Sequence, residues 1–147
     1  MTLLRWLTAL LACFPLFCCC APEVGEDEFC LQVTIAAPRV YGLYTQYSLQ
    51  GGQRGDMGVR NADGSAFRQN EVISLTLDQE LIPAGSGLSA FCMQLYWIDR
   101  EGVTRPASGV LTWPAAWGEA YTAMLRPDAD GGCLLETDFP CDAQSGS

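Results

Sequence analysis

At 147 residues, with hydrophobic residues at 49% and charged residues at 17%, the chain can bury one core, has no room for two, and is too apolar to be disordered. Arginine supplies all 8 of its basic residues against 17 Asp and Glu, and histidine is absent. That acidic balance repels phosphate backbones and anionic headgroups, which argues against nucleic-acid binding and makes a protein partner, if there is one, a basic one.

The first twenty residues have the layout of an export signal: Arg5, an apolar run from Trp6 through Phe17, then small or sulfur-bearing residues. The run is short for a bilayer core of roughly 30 Å and is followed by acidic residues, so a permanent membrane helix is the weaker reading. Cys18, Cys19 and Cys20 lie where a bacterial lipoprotein signal places its modified cysteine, and the segment resembles that family of signals. Leu16 supplies the aliphatic residue three positions before Cys19, while Cys18 stands where a small residue is usual. Lipidation of Cys19 or Cys20 is expected, holding the domain at the membrane on the periplasmic side of the envelope, in an outer-membrane lipoprotein. Ordinary cleavage after Ala21 is the competing reading, disfavoured by Pro22 directly after the cut. Residues 21–29 are acidic, contain Pro and Gly, and read as a tether to a single β-rich domain over residues 30–147.

Within that domain, Leu31, Val33 and Ile35 alternate with polar or small residues as a half-buried strand does. Val40 to Leu49 reads as a second strand ending at Gly51-Gly52, able to form a hairpin with the first. A glycine-rich irregular stretch follows, with a short strand near Met57 to Arg60. Ile73, Leu75 and Leu77 mark a strand ending near Asp78. Leu88 to Ile98 is the strongest strand, with Phe91, Met93, Leu95 and Trp97 on one face and Cys92, Gln94 and Tyr96 on the other. Asp99 to Gly102 is a turn, and Val103 and Thr104 begin an edge strand limited by Pro106. Val110 to Trp113, Tyr121 to Leu125 and Cys133 to Thr137 complete the set. About seven short strands separated by turns, with no helical period, predict an all-β fold: a small antiparallel β-sandwich, immunoglobulin-like or similar, with a small barrel as runner-up.

Beyond the signal, Cys30, Cys92, Cys133 and Cys141 are an even set in an exported chain, which predicts two disulfides stapling the domain. Sequence allows three pairings; Cys30 with Cys92 and Cys133 with Cys141 are the expected ones. Without a close Cys-x-x-Cys pair or any histidine, no metal site is expected among them, and no cofactor is called for. Asp128-Ala129-Asp130-Gly131 has only part of a calcium loop.

Lacking histidine and lysine, the chain has neither the usual general base nor a Schiff-base amine, so no catalytic residue is assigned and the chain is not expected to be an enzyme. The pairs Asp78 with Glu80 and Asp99 with Glu101 could converge as carboxylates on a strand face, yet both abut strand ends, where solvated acidic turns are common. Trp113 and Trp117, in Trp-Pro-Ala-Ala-Trp, form either an exposed anchor for a partner or a plug at one end of the core. Trp113, Trp117, Asp99 and Glu101 are the candidate partner-binding residues.

The strand opening Cys30-Leu31-Gln32-Val33 and the segment Ser74-Leu75-Thr76-Leu77-Asp78-Gln79-Glu80-Leu81-Ile82-Pro83 resemble the periplasmic immunity lipoproteins associated with bacterial type VI secretion clusters. Glu80 stands where that family carries a second cysteine. The resemblance implies a lipoprotein that binds a toxin acting in the periplasm; an accessory structural subunit of a secretion system or surface appendage is the alternative.

Overall fold

The computed structural model describes residues 23–82 and 86–144; Cys19, Cys20 and the rest of the signal segment lie outside them. The described chain is all-β, with two facing sheets. Its ten strands are β1 (Glu28–Ile35), β2 (Gly42–Ser48), β3 (Arg54–Val59), β4 (Val72–Asp78), β5 (Phe91–Ile98), β6 (Thr104–Pro106), β7 (Val110–Trp113), β8 (Ala120–Pro127), β9 (Cys133–Thr137) and β10 (Asp142–Gln144). One sheet is ordered β4-β1-β8-β9. The other is ordered β10-β7-β5-β2-β3, with β6 paired to β5.

Strict alternation decides which face each strand buries, because successive side chains point to opposite sides of a sheet. In β1 the residues Phe29, Leu31, Val33 and Ile35 are all fully buried, and β4 meets them with Ile73, Leu75 and Leu77. From the opposite sheet β5 contributes Phe91, Met93 and Leu95. At one end the filling is aromatic: Phe29 and Phe91 lie with ring centroids 4.7 Å apart, Phe91 and Trp113 4.9 Å apart, and Trp113 and Phe139 4.7 Å apart. Burying each large side chain contributes roughly 1.5–3 kcal/mol, so this cluster anchors the two sheets together.

Several expectations are corrected. Phe29 and Glu28 belong to β1, so the domain reaches further back than the tether reading allowed. The first two strands are not a hairpin: β1 and β2 lie in different sheets, and Ala37-Pro38-Arg39 carries the chain across, with Arg39 at φ 59° in the left-handed region. The sandwich is mixed, since β1 runs parallel to β8, with Cys30 opposite Ala120 and Ile35 opposite Leu125. The seven or so strands become ten, β10 being too short and polar to show a period.

Among the described residues neither expected disulfide is formed; Cys30, Cys92, Cys133 and Cys141 are unpaired. Phe29 and Phe91 point into the core, so Cys30 and Cys92, one residue on, point out of opposite faces of the sandwich. Cys141 lies with its sulfur 3.4 Å from Thr137 Oγ1. Cys133 is four residues back along β9, about 13 Å of extended strand, well outside the 4.4–6.8 Å between Cα atoms that a disulfide typically spans.

Candidate functional site

We call the end where β1 begins the lower end and the end where it finishes the upper one. The register places the start of β8 and the finish of β4 at the lower end as well, and the contact of Phe29 with Phe91 places there the start of β5 and, paired with it, the finish of β7. Trp113 and Trp117 therefore sit low and Asp99 and Glu101 high. The four candidate partner-binding residues do not form one site.

Trp113 is a core residue, 3% exposed, enclosed by Phe29, Phe91, Tyr121 and Phe139. Among the described residues its indole Nε1 has no hydrogen-bond partner within normal bonding geometry. Trp117 is half-buried and packs against the same cluster. The plug reading holds for Trp113.

Asp99 is 8% exposed and closes the turn after β5. Its Oδ1 accepts the Val103 N–H at 2.8 Å and its Oδ2 accepts Arg105 Nε at 2.9 Å. Desolvation acts to raise its pKa, but the Val103 N–H and the Arg105 guanidinium prevail and hold the carboxyl below the usual range. A carboxylate held in this way is committed to its turn. Glu101 is exposed, and it is its backbone N–H that reaches the Asp99 carboxylate.

Asp78 and Glu80, the other carboxylate pair, also serve local structure. Asp78 Oδ1 accepts the Glu80 N–H at 2.8 Å and caps the 3₁₀ turn Gln79–Leu81. Asp128 likewise accepts the Ala129 N–H at 2.7 Å, and no cluster of three or more metal-ligating side chains exists among the described residues.

What the fold does assemble is charge. Three segments far apart in sequence are joined at the lower end by backbone hydrogen bonds: Gln79 N–H to Asp27 C=O at 2.9 Å, and Gly118 N–H to Glu28 C=O at 2.8 Å. They bring together Glu26, Asp27, Glu28, Asp78, Glu80 and Glu119, with no arginine in any of the three segments. Gly118 stands beside the Glu26 backbone at φ 80°, a conformation L side chains rarely adopt, so glycine is favoured here. Leu81 stands out of this carboxylate surface 81% exposed. The arginines lie mostly at the other end: Arg39, Arg60, Arg68 and Arg100 flank upper strand ends, Arg105 lies within β6 and Arg126 next to the last residue of β8.

No family model matches the chain, and no curated protein matches it. Among solved structures it is similar to the NMR structure of a protein from Eubacterium rectale, at 7% identity over 79% of this chain and 93% of that one, with a TM-score of 0.41. That likeness is too loose to assign a fold family.

Proposed function

We propose that this chain is an exported, envelope-held protein that works by binding another protein, with the acidic lower end as its docking surface for a basic partner. The observation that supports it is the convergence of six carboxylates around an exposed leucine on three mutually bonded segments. Opposite charge speeds and orients encounter, and an apolar side chain in its midst offers the desolvated contact that supplies affinity. An immunity role, in which the acidic end covers a basic toxin surface, is the form of binding that the resemblance to periplasmic immunity lipoproteins favours. The N-terminal segment enters the fold at the same end. A lipid on Cys19 or Cys20 would therefore put membrane and partner on one side of the domain, which suits a partner active close to the bilayer.

Co-purification from envelope extracts tests this. Wild-type protein should enrich a basic protein at low salt and release it as salt rises, because exposed charge pairs are screened within about 10 Å at 0.1 M. The variant Asp27→Asn/Asp78→Asn/Glu80→Gln should capture much less. An identical protein profile from wild type and variant, or no enriched protein at all, would remove the docking surface.

A further inference from the structure

We infer that the outer face of the six-stranded sheet carries a second binding site, for an uncharged oligosaccharide. This goes beyond the protein-docking role and rests on different residues.

The register places outward side chains of β3, β2 and β5 in rows across the sheet. Tyr44 lies opposite Tyr96 and Gly58; Gln46 opposite Gln94 and Asp56; Ser48 opposite Cys92 and Arg54. Between these rows runs an open groove of about 480 Å³, lined by Tyr44, Gln46, Ser48, Arg54, Asp56 and Gln94 among others. From the Tyr44 row to the Ser48 row is four residues of strand, about 13 Å, long enough for more than one sugar ring.

Each row has a chemical use. The rings of Tyr44 and Tyr96 stand 5.9 Å apart, tilted by 49°, and Gly58 puts no side chain over Tyr44 from the neighbouring strand. An aromatic face left open in this way stacks against the C–H face of a pyranose, combining apolar burial with its ring quadrupole. The Tyr96 hydroxyl donates its one proton to Gln94 Oε1 at 2.9 Å, with Gln46 Oε1 the second acceptor within reach at 3.3 Å. Gln94 Nε2 is spent on the Ser108 carbonyl at 3.1 Å. The amide nitrogen of Gln46 has no partner among the described residues, and Gln46 lines the groove together with Ser48. Donors and acceptors in close alternation match hydroxyls, which are both.

Charge selects the same class of ligand. Arg54 and Asp56 lie two residues apart on the same face of β3 and form no ion pair among the described residues. A ligand of either sign is attracted by one and repelled by the other, whereas a neutral polyhydroxyl can hydrogen-bond to both. A peptide added as a strand is excluded from the floor, because β2 lies between β3 and β5, and β5 between β2 and β7, so their backbone groups are already paired.

The test is a titration of nitrogen-labelled protein with maltotetraose, cellotetraose and chitotetraose, followed by amide chemical shifts. At least one should give saturable shifts confined to β2, β3 and β5. Tyr44→Ala and Gln46→Ala should each weaken binding roughly tenfold or more, with their spectra otherwise native, while Glu80→Gln at the acidic end leaves it unchanged. Absence of saturable shifts with all three sugars, shifts centred elsewhere, or full affinity in Tyr44→Ala would overturn the inference. Loss of binding in Glu80→Gln would assign the sugar to the lower end and overturn it equally.

Discussion

Asp99 and Cys133 show how single side chains tie stability to pH in opposite directions. The folded pKa of Asp99 lies below its unfolded value, so the stabilisation it gives is complete above the ordinary aspartate pKa of about 3.9 and is lost as pH falls through the depressed folded value. Asp99→Asn should therefore be less stable than wild type at neutral pH, with the two converging in acid; urea midpoints at pH 7 and pH 3 check this. Cys133 is the reverse: burial, with Asp128 nearby, pushes its thiol up to about 11. Its unfolded form ionises first, so stability should fall as pH rises above about 9 toward 11, and Cys133→Ala should flatten that alkaline decline in thermal melts. Trp113 belongs to the same scale. Trp113→Ala removes the centre of the lower aromatic cluster and should cost about 3–5 kcal/mol in urea unfolding, so any binding defect in it follows from lost folding. Leu81→Ala, on an exposed side chain, should leave the urea midpoint unchanged.

At the scale of the element, period-two patterning was legible for β1, β4 and β5 because one face of each is buried and the other is not. Alternation says which face goes inward; it does not say which strand lies alongside. The parallel β1–β8 pairing and the crossing from β1 to β2 were therefore outside its reach. Cysteine parity failed for a related reason: an even count says nothing of the faces on which the thiols lie, and Phe29 beside Cys30 and Phe91 beside Cys92 turn those sulfurs away from each other. Alkylation of the unfolded protein without reductant should label each of Cys30, Cys92, Cys133 and Cys141, and reductant should leave the melting temperature unchanged. In the native state Cys92 and Cys141, which are half-buried, should react before the buried Cys30 and Cys133. Two mass-resistant thiol pairs would contradict the arrangement of the strands.

For the whole molecule the governing feature is polarity of charge. Glu26 to Glu28, Asp78, Glu80 and Glu119 are scattered through the sequence, so the net acidity was readable but its concentration at one end was not; that required knowing that β4 finishes, and β8 starts, beside the start of β1. Like charges held together repel, so added salt should raise the melting temperature, and the Asp27→Asn/Asp78→Asn/Glu80→Gln variant should show a smaller salt effect. The same field is what a basic partner would meet first. The most direct test is a photo-crosslinking amino acid at position 80, at the acidic end, compared with one at position 101, in the opposite loops, with the full chain in the envelope. A discrete crosslink to a basic protein from position 80, and none from 101, is the expected result. A crosslink from 101 alone, or none from either, contradicts docking at the acidic end.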